Sequence, residues 1–209
     1  MKRCNWGQAN EKLIAYHDEE WGVPLHDDRK QFEFLMLEVM QCGLNWNMML
    51  QKRGIFHTCF DEFDYRRIAG YDEEDVQRIL TYPGMIRSRR KIEAVIHNAR
   101  CFQAVQAAFG TFDAYLWGFT DGKTVVYPQH QTSPVPRNAL SDQISRDLKK
   151  RGFKYLGSIT TYSHLQACGI INDHERNCFR YQELTAHHPF IVIWEDAAEG
   201  CIPIPHVTV

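Results

Sequence analysis

The chain has 209 residues, 44% hydrophobic and 24% charged, with a formal net charge of −2 at pH 7. This is the make-up of a soluble globular protein of one domain with a sizeable core, and it excludes a broadly basic coat for nucleic acid. No apolar run approaches the roughly 18 residues needed to span a bilayer, and the start MKRCNWG lacks a signal peptide's apolar stretch, so a cytoplasmic protein without membrane contact is expected.

The predicted elements are mostly helices. Asp27 and Asp28 suit the start of a helix through Phe32, Leu35, Met36, Leu37 and Val39, stopped near Gly43. A second runs from near Trp46 to about Lys52. A third spans about Asp72 to Thr81, with Val76, Ile79 and Leu80 behind acidic first-turn residues that suit the helix dipole. The longest follows Ile86, where Ile92, Val95, Ile96, Ala99, Phe102 and Val105 recur at helical spacing. Residues 112–119 are short and aromatic. Turn chemistry and three prolines between Asp121 and Arg137 predict a long surface loop. Ser141 is then a cap for a helix ending at Lys149-Lys150-Arg151-Gly152, and an apolar helix follows from about Tyr155 to Cys168. FIVIW at 190–194 is strand-like, and Ile202-Pro203-Ile204-Pro205 is not helical.

Seven cysteines, odd in number and scattered, read as reduced thiols rather than a disulfide framework. Two of them fall into mixed thiolate–imidazole pairs. His174-x-x-x-Cys178 puts two ligands one turn apart if that stretch is helical, and Cys4 with His17 supplies a second pair. Together they would complete a closed, tetrahedral Cys2His2 zinc site that clips the amino-terminal arm to the later part of the chain. Spacing alone fits ordinary core cysteines and satisfied histidines as well.

Three further features carry chemistry. Glu38 lies inside MLEVM, where an ionised carboxylate is costly unless it is paired or faces outward. Trp6, Tyr16, Trp21 and Trp46 gather in the same part of the sequence. Such aromatics either form core or, with a carboxylate, hold a flat cation by stacking and cation–π attraction. The turn Tyr82-Pro83-Gly84-Met85-Ile86-Arg87 between two helices leaves backbone N–H groups for a phosphate, with Arg87, Arg89, Arg90 and Lys91 around it. Lys149, Lys150, Arg151 and Lys154 form a second basic cluster, and both suit contacts to the nucleic-acid backbone rather than base readout.

The segments Arg3-Cys4-x-Trp6, YHDEEWGVP at 16–24, LEVMQCGLNW at 37–46, GMIRSRRKIEAVIHNA at 84–99, and KKRGFKYLG followed by QACGIINDH resemble the bacterial 3-methyladenine DNA glycosylase I family. The resemblance covers roughly residues 1–180 in order, leaving 181–209 as a tail of unknown role. It implies an all-α fold of the helix-hairpin-helix glycosylase superfamily, with one structural zinc held by Cys4, His17, His174 and Cys178. It also implies that Glu38, the catalytic carboxylate, contacts the extruded base together with Tyr16 and Trp46, while Trp6 and Trp21 line the pocket. Gly84, Arg87, Arg89 and Arg90 would hold the DNA backbone, and Leu44 at the Gly43 break would fill the gap left by the flipped base. The implied activity is hydrolysis of the N-glycosidic bond of 3-methyladenine in alkylated double-stranded DNA, with water as nucleophile and the free base as product, by a monomer. This chain departs from the family's usual Gln-Gln-Ala-Gly-Leu-Ser-Trp at Met40 and Asn45, which predicts a lost amide and a lost hydroxyl at the pocket edge. Asp113 is read as structural. A module that binds alkylated DNA without cutting is the alternative. A catalytic zinc hydrolase is disfavoured because four protein ligands leave no open position on the metal.

Overall fold

The computed structural model describes residues 1–131 and 134–194. Within them the chain forms ten α-helices and one two-stranded sheet, in line with the helical fold expected. No described helix is long and apolar enough to cross a membrane.

The centre is α2 (Asp28–Gln41), started by the Asp27 side chain, which accepts from the Lys30 N–H. Every residue from Gln31 to Met40 is buried, so α2 is covered on all sides rather than on one stripe. Around it lie α3 (Trp46–Cys59), α6 (Arg89–Phe109), α7 (Phe112–Trp117) and α9 (Ser158–Ala167). The remaining helices are α1 (Glu11–Glu19), α4 (Tyr65–Ile68), α5 (Glu73–Thr81), α8 (Ala139–Lys150) and α10 (Phe179–His187). The α5–turn–α6 unit is the expected hairpin. Asp72 caps α5 in a reciprocal box with Asp75, and α6 runs 21 residues to Gly110.

Several expectations are corrected. Helix α3 continues to Cys59 because Phe56 and Cys59 are wholly buried, and their packing outweighs the glycine at 54. The cap of α8 is Asn138, and Ser141 is its partner three residues on in a capping box. Helix α9 starts at Ser158, not Tyr155, whose φ of 63° lies outside the helical region. Helices α1 and α10 were not expected.

The largest correction lies between Asp121 and Arg137. Instead of a surface loop it holds β1 (Thr124–Val126), and Val125, Val126 and Tyr127 are at most 1% exposed. Strand β1 pairs in parallel with β2 (Phe190–Val192), with Val125 opposite Ile191, so 190–192 is a strand as expected. Ile202–Pro205 falls outside the described residues. The amino-terminal arm meets the stretch around residues 175–179: the Phe179 N–H donates to Lys2 O at 3.0 Å, and the Asn5 N–H to Glu175 Oε1 at 2.8 Å.

Candidate functional site

That meeting brings Cys4, His17, His174 and Cys178 together. Their ligand atoms all lie within 4.8 Å of one another and all four residues are buried. Cys4 Sγ is 3.5 Å from His174 Nδ1, and Cys178 Sγ is 3.5 Å from His17 Nε2 and 3.6 Å from His174 Nδ1. Residues 174–178 are not helical, contrary to the premise of the spacing argument. A turn closed by the Cys178 N–H on Glu175 O brings the pair together, and Cys178 precedes α10. Each imidazole is oriented from behind. His17 Nδ1 faces Asp18 Oδ1 at 2.8 Å, with Asp18 held in turn by Arg3, and His174 Nε2 donates to Trp21 O at 2.9 Å. This arrangement leaves one nitrogen of each ring aimed inward, the support that metal-binding histidines use. Glycine is required beside both rings. A Cβ at Gly7 would meet the His17 ring at 2.6 Å, and one at Gly22, where φ is +78°, would meet His174 at 2.9 Å. The donor set and its spacing therefore fit a tetrahedral metal ion.

Against this cluster lies a pocket of about 380 Å³. Trp6 and Trp21 form one wall in edge contact, ring centroids 4.8 Å apart, and Trp21 also packs on His174 at 4.6 Å. The Cys2His2 cluster thus braces the aromatic wall. Tyr16, from α1, sits 5.2 Å from Trp46 at the start of α3. Glu38, from α2, is 4% exposed, and no group in the described structure donates a hydrogen bond to its carboxylate. Burial pushes its pKa up to about 8. Burial, and then the neighbouring Glu38 carboxylate, also raise the Tyr16 phenol. Trp46 Nε1 is buried without a partner. A buried donor left unpaired is rare in proteins, and Trp46 Nε1 beside the Glu38 carboxylate and Tyr16 points to a ligand that pairs with it.

The chain break after α2 lies at the pocket's edge. Gly43 takes a φ of +79°, and Leu44 beyond it is 39% exposed. The two departures predicted to alter the pocket do not reach it. Met40 is in the core at 1% exposure, and the Asn45 side chain caps α3 by accepting from the Met48 N–H at 2.9 Å. Gln41, one residue on, supplies an amide to the lining.

The hairpin turn carries Gly84 at a φ of +78°, and Lys52 Nζ donates to its carbonyl. Ser88 gives α6 no side-chain cap, so the first N–H groups of that helix are open. Arg87 and Arg90 are exposed and make no ion pair in the described structure. Arg89 is engaged by Glu73 at 2.6 Å and Glu93 at 3.2 Å. Lys91 does not join the basic surface. Its Nζ turns inward and donates to Met40 O at 2.7 Å and Cys42 O at 2.6 Å, a carbonyl in the last turn of α2 and that of its cap residue. Asp113 is structural as expected, accepting from Gln31 Nε2 at 2.8 Å beside His26.

Residues 6–181 match the family model for methyladenine glycosylase. The chain belongs to the methyladenine glycosylase family. Over 182 residues it is 42% identical to DNA-3-methyladenine glycosylase 1 of Escherichia coli (strain K12), which covers 87% of this chain and 97% of that protein. A crystal structure of 3-methyladenine DNA glycosylase I matches at TM-score 0.80 and 44% identity, covering 85% of this chain and 98% of that one. A tyrosine-to-phenylalanine variant of a 3-methyladenine DNA glycosylase I, solved in complex with 3-methyladenine, matches at TM-score 0.81 and 31% identity, covering 86% and 97%.

In this methyladenine glycosylase family member, sequence reasoning missed part of the pocket. Ser163 and Gln166 come from α9, Asp173 from the segment just before His174, and His130 from the region read as a surface loop. No local signal in the sequence marks Ser163, Gln166 or Asp173, since α9 carries serine, threonine and histidine along its length.

Proposed function

We propose that this chain excises 3-methyladenine from alkylated double-stranded DNA by hydrolysing its N-glycosidic bond. The observation that carries this reading is the pocket in which the Glu38 carboxylate, Tyr16 and the unpaired Trp46 indole N–H meet between aromatic walls. Its family membership and a structural neighbour holding 3-methyladenine support the same substrate.

Alkylation at N3 makes the base cationic and weakens its bond to deoxyribose. The protein's task is to extrude the nucleotide, at a cost of a few kcal/mol, and to recognise it. In this reading Trp46 and Tyr16 stack on the flipped base, and Trp6 and Trp21 close the wall. Glu38 is largely protonated at pH 7 in the empty pocket. A cationic base gives it the opposite charge it lacks, so Glu38 ionises when such a base enters and accepts from the adenine edge. A neutral adenine offers no such compensation, which gives selectivity. Departure of the base carries the bonding electrons to N9, water adds to C1′ of the sugar, and its surplus proton passes to solvent.

On the DNA side, Arg87, Arg90 and the open N–H groups after Gly84 hold phosphates. Arg89 joins them by exchanging Glu73 for a phosphate, and Leu44 fills the emptied stack. Zinc at Cys4, His17, His174 and Cys178 would be structural, since four protein ligands close its shell. We take the protein to act as a cytoplasmic monomer.

The test is release of free 3-methyladenine from methylated DNA by the folded protein and by Glu38→Gln side by side. Release by the wild type and its loss in the variant support the reading. Equal rates would remove Glu38 from the site, and no release by either favours binding without cutting.

A further inference from the structure

The pocket holds a second kind of carboxylate. Among the described residues, three carboxylates line it: Glu38, Asp173 and Glu175. Glu175 is committed to the amino-terminal arm, accepting from the Asn5 N–H. Asp173 is held differently from Glu38. Its Oδ2 accepts from the Tyr162 hydroxyl and from Gln166 Nε2 at 2.7 Å, both donors on α9. Its Oδ1 accepts no hydrogen bond and lies 3.5 Å from His130 Nδ1, which is also 3.0 Å from the Tyr162 hydroxyl oxygen. Ser163 and Gln166 lie beside it in the lining.

From this geometry we infer that Asp173 supplies the fixed negative charge that stabilises the deoxyribose as the base departs. This rests on the excision activity proposed above and adds a second role to the same pocket. Cleavage of C1′–N9 sends both electrons to N9, so the positive charge leaves the base and appears on the sugar as an oxocarbenium ion. The site therefore needs two anionic environments in turn, one at the base and one at the sugar. Glu38 meets the base, and its buried, unpaired carboxyl is largely neutral until a cation arrives. A group aimed in advance at charge that develops only in the transition state acts without reorganising. Asp173 has that character, because two hydrogen bonds from one helix fix its carboxylate plane. Water then forms the new C1′–O bond and its proton leaves to solvent, so Asp173 is unchanged over the cycle. Asp113, the other aspartate considered from sequence, is excluded by its hydrogen bonds to Gln31 and His26 outside the pocket.

The roles separate experimentally. Duplex DNA carrying a cationic pyrrolidine in place of one sugar mimics the charged sugar, and the same DNA with a neutral tetrahydrofuran does not. The wild type should prefer the pyrrolidine duplex, and Asp173→Asn should lose that preference. Single-turnover release of 3-methyladenine should fall about 10- to 100-fold in Asp173→Asn. Binding of free 3-methyladenine and metal content should stay at the wild-type level, which a merely structural role at the neighbouring His174 would not allow. Tyr162→Phe keeps the charge and removes one tether. It should slow release severalfold with base binding intact, and it provides the test if Asp173→Asn does not fold. Unchanged release and unchanged pyrrolidine preference in the folded variant would overturn the inference while leaving the excision activity standing. Parallel loss of base binding and release would overturn it too, by placing Asp173 in base recognition. A wild type that releases no base would remove both.

Discussion

Glu38 ties recognition to stability. Burial pushes its carboxyl up to about 8 in the folded chain, from the ordinary glutamate value of 4.5. A raised carboxyl pKa means the folded state holds a proton that the unfolded state has lost. The contribution is therefore fully present below about pH 4.5 and is lost as pH rises through about 8. Glu38→Gln has no such titration, so its melting temperature relative to wild type should climb between pH 5 and pH 9. A constant difference across that range would mean the carboxyl is not buried as described. Trp46→Ala should weaken 3-methyladenine binding by about 1–3 kcal/mol, the usual worth of one stacked base, measurable by calorimetry. At this scale the sequence revealed residues whose chemistry clashed with their neighbours, as a glutamate does between methionines and leucines. It could not reveal Asp173 or Gln166, whose surroundings in sequence are unremarkable and whose place in the pocket depends on how α9 packs against α2.

Among elements, the hairpin and the break after α2 form one unit. Lys91 lies in the first turn of α6, yet its ammonium caps the Met40 and Cys42 carbonyls just before Gly43 and Leu44. Lys91→Met should leave the fold and 3-methyladenine binding intact while reducing excision from duplex DNA, because Leu44 loses its support. Equal effects on free base and duplex would show the contact to be only structural. Arg87→Ala and Arg90→Ala should each weaken DNA binding about equally for all sequences and lower the salt slope by about one, read from titrations at several salt concentrations. Helices α2 and α5 were legible because caps, acidic first turns and apolar residues agree along each, and α6 from its long run of apolar residues at helical spacing. Strand β1 was not. Its three residues sit among prolines, and its partner β2 lies more than sixty residues further on, so no local pattern announces the pairing.

The whole molecule is closed by the Cys4, His17, His174 and Cys178 cluster, a link between residues 170 positions apart. Purified protein should carry about one zinc per chain, and a strong chelator or His174→Ala should lower its melting temperature, with excision lost only as folding is lost. Folded, metal-free protein of unchanged stability would refute a structural ion. The four ligands were legible as residue types, but the turn that joins His174 to Cys178 was not, because a helical spacing and a tight turn can give the same separation in sequence. The cluster also has a direction in time. A polypeptide leaves the ribosome amino end first, so Cys4 and His17 emerge early and wait for residues made near the end of translation. Until Cys178 is free of the exit tunnel the joint cannot form, and the aromatic wall that rests on it is unsupported. A message broken upstream of His174 would thus yield a product whose leading arm never docks, an untied end that quality-control proteases can grip.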